Sequence, residues 1–165
     1  MEHVVFAAVE DNIKTEEQVV LGVEKQKKIT KTNESIVSKE GVWELEIPKI
    51  DLKAKIKEGT TEKVMNEYIG HFENTNTWNG NVGLAAHNRG YPVNYFARLK
   101  ELKKGDEIIY RTKEGEKIYV VDLITIINDT DWSYLEKRND SRITLITCVE
   151  NKPSLRRCVQ GIEKT

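Results

Sequence analysis

The stretch EIIYRTKEGEKIYVVDLITII, residues 107–127, decides the fold. Glu107–Thr112 and Lys117–Ile127 are dense in β-branched and aromatic residues, and Lys113–Glu114–Gly115–Glu116 between them reads as a hairpin turn. The same texture continues on both sides of this hairpin. Trp43, Leu45 and Ile47 alternate with Glu44 and Glu46, and Pro48 then marks an edge or a strand junction. Ile50, Leu52, Ala54 and Ile56 alternate with Asp51, Lys53 and Lys55, the period of a half-buried strand. Val82–Ala86 is a short apolar run between Gly80 and Gly90, and Ile143–Thr147 and Leu155–Ile162 are the last strand candidates. Val64, Met65, Tyr68 and Ile69 have helical spacing, with Gly70 where a C-terminal cap belongs. Phe96, Leu99 and Leu102 fit a short helix from near Asn94, ended by Gly105. At least seven strands with two or three short helices and no βαβ alternation make an all-β domain, a mostly antiparallel barrel or sandwich.

The strand-rich text occupies residues 41–165. Residues 1–40 are dominated from Glu10 by Glu, Lys, Gln, Thr, Asn and Ser, and read as a polar, flexible stalk that buries too little apolar surface to offset its ordering entropy. The whole chain has 165 residues, with 26 basic and 27 acidic side chains and a net charge of −1. That balance argues against a nucleic-acid partner. Two cysteines exclude a disulfide scaffold. The apolar run Val4–Val9 is too short for a membrane span and lacks the basic flank of a signal peptide. The chain therefore reads as cytosolic or as a soluble fragment of a longer protein.

Chemistry concentrates at strand ends. Cys148 closes the run Arg142–Thr147, where a thiol can face a cleft, and a thiolate is a strong nucleophile even when only a small fraction is ionised. Burial as a small hydrophobe is the bland alternative. His87 closes the run Val82–Ala86 in the same manner, whereas His3 lies in the stalk and His71 follows Gly70 in an expected turn. Arg156 and Arg157 open the final strand a short connection after Cys148, and either guanidinium would suit a developing oxyanion. No cofactor or metal site stands out. Asp129, Asp131, Glu136 and Asp140 lack the spacing of a calcium loop and read as ordinary loop acids.

Thr144–Leu145–Ile146–Thr147–Cys148 with Arg156 eight residues on resembles the TLxTC…R signature of sortases. Leu84–Ala85–Ala86–His87–Asn88 resembles the short strand that ends in that family's active-site histidine. Tyr95–Phe96 with Leu99, Leu102 and Gly105–Asp106, and Ile47–Pro48–Lys49–Ile50 ahead of them, match the family in order and spacing from about residue 42 to 162. The resemblance implies a closed sortase-type β-barrel of about eight strands. It further implies a cysteine transpeptidase at the outer face of a Gram-positive cell membrane, held by an anchor absent from this chain.

By the same resemblance Cys148 attacks the carbonyl after the threonine of an LPxTG-like sorting signal, His87 protonates the leaving amine, and Arg156 serves the oxyanion or the peptide. The partners are then a sorting-signal peptide and an amine of a peptidoglycan precursor or a pilin. In the family the arginine commonly precedes a hydrophobic residue by three positions and Ala or Gly by five, which Val159 and Gly161 supply for Arg156 but Gln160 and Ile162 do not for Arg157. Cys158 is expected to be free, although a Cys148–Cys158 bridge is permitted. Apolar lining is expected from Ala85, Ala86, Leu145 or Val82. The short connection after Ile127 resembles class D first and class A second. A cysteine hydrolase on the same barrel and a non-catalytic binding module are the competing functions.

Overall fold

A computed structural model describes residues 41–165; the expected stalk, residues 1–40, lies outside the described residues. The hairpin that opened the sequence reading is β5 (Glu107–Thr112) and β6 (Gly115–Asn128), with the turn tightened to Lys113–Glu114. Before them come β1 (Glu44–Ile47), β2 (Leu52–Glu58), β3 (Ile69–His71) and β4 (Asn81–Ala85). After them come β7 (Arg142–Val149) and β8 (Lys152–Glu163). The eight strands close into one barrel in the order β1-β2-β3-β4-β7-β8-β6-β5. Six of the eight pairings are antiparallel, while β2 with β3 and β4 with β7 are parallel. The expected all-β closed barrel is therefore present.

Alternation fills the barrel. Leu45, Ile47, Leu52, Ala54, Ile56, Val82, Leu84, Ile108, Tyr110, Tyr119, Ile143, Leu145 and Val159 form one buried cluster. At Asp122 the register of β6 shifts, so Tyr119 and Val121 point inward before the bulge and Ile124 packs on the core after it. This frees Ile127 to join a second, smaller cluster on the outer face with Leu135, Ile146 and Cys158.

Helical content is smaller than the spacing suggested. The helix expected over Val64–Ile69 is a four-residue α1 (Glu62–Met65), capped by the Thr61 hydroxyl accepting from the Val64 amide at 3.3 Å. Ile69 and Gly70 belong to β3 instead. Gly70 is not a cap: a Cβ there would sit 2.4 Å from the Gly59 carbonyl oxygen, so the residue is glycine to let two backbones approach. The helix expected after Asn94 is reduced to turns and one 3-10 turn, Leu99–Glu101, that buries Phe96, Leu99 and Leu102. Ile50 likewise lies in a 3-10 turn, Pro48–Ile50, and β2 begins at Leu52.

Candidate active site

The site is built on the outer face of three neighbouring strands. β7 and β8 pair so that Cys148 lies opposite Arg156, Ile146 opposite Cys158 and Thr144 opposite Gln160. β4 runs parallel on the other side of β7, with Gly83 beside Thr144 and Ala85 beside Ile146. Side chains two apart share a face. Ala85, Ile146 and Cys158 therefore point the same way; Cys148 follows two residues later on β7, and His87 lies two residues beyond Ala85, just past the end of β4. The β7–β8 connection is tighter than expected. β8 starts at Lys152, and Asn151 takes a left-handed turn conformation at φ 60°.

Over this face lies the connection from β6 to β7. Its 3-10 turn, Ser133–Leu135, places a Leu135 methyl where a Cβ on Gly83 would be 2.8 Å away, so any larger residue there would have to push that side chain aside. A buried polar network pins the connection down. Asn81 donates through Nδ2 to the Tyr134 and Glu136 carbonyls at 2.9 Å each, and accepts from the Thr144 hydroxyl at 2.7 Å. Gln160 donates to the Tyr134 carbonyl at 3.1 Å and to the Thr144 hydroxyl at 3.0 Å, and accepts from Arg142 at 2.8 Å. Satisfied buried groups of this kind hold one arrangement firmly. Here they fix a wall for a cleft.

That cleft, of about 230 Å³, is lined by Cys148, His87 and Arg156 together with Ala85, Ala86, Ile146, Thr147, Phe72, Trp132 and Leu135. Cys148 is exposed, and its carbonyl accepts from Asn88 Nδ2 at 2.7 Å. Arg156 uses Nη1 to donate to the Pro153 and Leu155 carbonyls, both at 2.8 Å, which orients its guanidinium over the strand end. His87 is buried, its Nε2 has no hydrogen-bond partner among the described residues, and burial holds its pKa below the ordinary value despite the nearby Glu62 carboxylate. Arg157 pairs with Thr147 and Ile126 and lies outside the cleft lining.

The two cysteines part company. Both are free, so no Cys148–Cys158 bridge exists. Cys158 is wholly buried in the second cluster, and desolvation pushes its thiol up to about 12. His71 corrects the expectation of a turn. It is buried in β3, with Nδ1 2.8 Å from Glu58 Oε1 and Nε2 2.8 Å from the Asn76 carbonyl. Both nitrogens are engaged in holding the chain between β3 and β4. Of the expected apolar lining, Ala85 and Ala86 both line the cleft, Ala86 also being part of the barrel core, while Leu145 and Val82 belong to the core alone, on the face opposite Ala85 and Ile146.

Several cleft residues carried no sequence signal. Tyr91 lies over His87 with ring centroids 3.5 Å apart and planes 5° from parallel. Trp132, mostly exposed, stands edge-on to Phe72 at 6.2 Å. Asp129 and Asp131, read as ordinary loop acids, line the cleft, and the Ser133 hydroxyl and amide hold the Asp131 carboxyl below the usual carboxylate range. Asp140 is paired with Arg142 at 2.7 Å instead. A thiol, an imidazole and a guanidinium around one cleft suit acyl transfer through a thioester.

Comparison with known proteins agrees. The sortase-domain family matches residues 45–161. Sortase A of Bacillus anthracis is 31% identical over 128 residues, covering 77% of this chain and 61% of that protein. Sortase D of Bacillus subtilis (strain 168) is 30% identical over 107 residues, covering 63% of this chain and 52% of that protein. The chain thus spans between about half and three fifths of the length of these relatives. Among solved structures, the pilus-related sortase C of Group B Streptococcus superposes with a TM-score of 0.71 at 27% identity, over 76% of this chain and 68% of that one.

Proposed function

The chain belongs to the sortase family, and from that premise we propose that it is a cysteine transpeptidase acting on an LPxTG-like sorting signal. Cys148 Sγ attacks the carbonyl carbon after the threonine, and the carbonyl oxygen becomes an oxyanion that Arg156 stabilises through the donors its two carbonyl bonds leave free. The peptide C–N bond then breaks, His87 gives a proton to the departing amine, and a thioester remains on Cys148. An amine from a peptidoglycan precursor or a pilin attacks the thioester, the C–S bond breaks, and the thiol is restored. The observation that carries this reading is that Cys148 of β7, Arg156 of β8 and His87, just past the end of β4, line one cleft. Of the subclasses, class D followed by class A is the assignment we favour from the sequence pattern. The place of action in this reading is the outer face of a Gram-positive membrane. Among the described residues no helix is long and apolar enough to cross a membrane.

The test is incubation with an LPxTG-type peptide, with and without triglycine, read by mass spectrometry. Joined product that requires Cys148 is expected, and Cys148→Ala should abolish it while retaining the fold. Cleavage without joining would mean a hydrolase on the same barrel. No adduct on Cys148 at all would mean a non-catalytic module.

A further inference from the structure

The His87 imidazole is placed in an unusual way for a proton-handling group. Its backbone is pinned: the His87 carbonyl accepts from the Phe96 amide at 3.0 Å, and the preceding Ala86 carbonyl accepts from the Thr147 hydroxyl at 2.8 Å. The ring itself is not tethered at Nε2, which is buried without a hydrogen-bond partner among the described residues. Histidines that move protons are commonly oriented by a hydrogen bond at one nitrogen. Here the strong contact is with the ring face, where Tyr91 lies 3.5 Å away and 5° from parallel.

Tyr91 is itself held in place by its own loop. Gly90 supplies a left-handed φ of 80°, the Tyr91 amide donates to Asn94 Oδ1 at 3.3 Å, and Asn94 Nδ2 donates back to the Tyr91 carbonyl at 2.8 Å. The same loop is strapped to the far side of the cleft, because Asn88 reaches the Cys148 carbonyl and Arg89 donates to Asn151 Oδ1 at 2.6 Å. The segment that carries the stacking ring is thus tied to the strand end that carries the thiol.

We propose that Tyr91 is a positioning residue for His87, its ring fixing the plane in which the imidazole meets the cleft and keeping water off one face. The proposal rests on the assignment of His87 as the proton donor. Around the imidazole stand Cys148 from β7, Arg156 from β8, Asp129 and Asp131 from the β6–β7 connection, and Glu62 from α1, with Arg89 on its own loop. Among the described residues, only Tyr91 covers the ring by stacking. The contact uses the ring rather than the hydroxyl, so phenylalanine preserves it and alanine does not.

The experiment is NMR titration of labelled histidine in the full chain, with His87 assigned by His87→Gln, in wild type, Tyr91→Phe and Tyr91→Ala. Burial holds His87 low in the wild type. Tyr91→Ala should raise its midpoint toward the unperturbed value of about 6.5, and Tyr91→Phe should keep it low. In peptide turnover Tyr91→Ala should lower kcat by about tenfold or more with KM little changed, since a slightly misplaced catalytic group slows chemistry without weakening binding. A midpoint unchanged or lowered by Tyr91→Ala overturns the proposal. So does a raised KM at constant kcat, which would make Tyr91 a substrate contact. The titration needs no turnover, so it separates failure of the stack from failure of the transpeptidase assignment.

Discussion

Replacing Arg156 and Arg157 one at a time tests the site at its most specific point. The two arginines are neighbours in sequence, yet the register places Arg156 opposite Cys148 and Arg157 opposite Thr147, on the other face of β8. Directly opposed residues of an antiparallel pair have Cβ atoms about 5 Å apart, within reach of one carbonyl group. Arg156 spends Nη1 on the Pro153 and Leu155 carbonyls, so Nε and Nη2 remain to donate toward the cleft. Loss of one oxyanion donor typically costs about 10²–10³ in rate, roughly 3–4 kcal/mol of transition-state stabilisation. Arg156→Ala should therefore lower kcat/KM for an LPxTG-type peptide by about 10²–10³, acting mainly on kcat. Arg156→Lys should fall between, because an ammonium holding the same two carbonyls has no planar fork left to offer. Arg157→Ala should stay within about twofold, as for a side chain outside the cleft. The measurement is steady-state cleavage of a quenched fluorescent peptide, with thermal melts to confirm equal folding. A large loss in Arg157→Ala with activity kept in Arg156→Ala would refute the register argument.

Gly70→Ala should destabilise the barrel by about 1–3 kcal/mol or more in urea unfolding, since its Cβ meets a backbone oxygen that has no rotamer to yield; an unchanged midpoint would mean that β2 and β3 can separate freely. With a maleimide, Cys148 should label in the native protein while Cys158 stays protected until the barrel unfolds, as intact-mass analysis before and after denaturant would reveal. The depressed pKa of His87 gives folding a defined pH sign. Between the folded value and about 6.5 the unfolded chain binds more protons, so stability rises with pH across that window. His87→Gln should flatten the rise in melting temperature on the acid side of about pH 6.5, and an unchanged slope would assign it to other groups.

The parts of the barrel that alternate were legible because period two is set by residues within a single strand. The pair Trp43–Ile47 and the hairpin at 107–127 needed nothing beyond their own text. Gly70 misled because a glycine after an apolar helical run looks like a cap, whereas its need comes from the backbone of Gly59, just past the end of β2. His71 has the same lesson, since its partners Glu58, Thr75 and Asn76 assemble only when β2 and β3 pair. In the site, Cys148, His87 and Arg156 were readable as residue types at strand ends in a known pattern. Tyr91 was not, because stacking depends on how the loop after Gly90 folds back. Asp129 and Asp131 were set aside for a similar reason: their place on the cleft follows from the Asn81–Thr144–Gln160 network, whose members are far apart in sequence.

The parallel pairing of β4 with β7 has a kinetic consequence. The imidazole and the thiol meet only after a long chain segment has closed on itself, as the 61-residue separation of Ala86 and Thr147 records. Closing a loop of that length costs roughly 3–4 kcal/mol of chain entropy before any contact repays it. Pairings of such long range form slowly. While the polypeptide is emerging, or whenever the barrel opens between β4 and β7, Cys148 is therefore separated from His87. In the proposed reading, closure of the β4–β7 pairing is what brings the thiol and the imidazole to one cleft, so a chain in which that pairing is unmade holds an isolated sulfur.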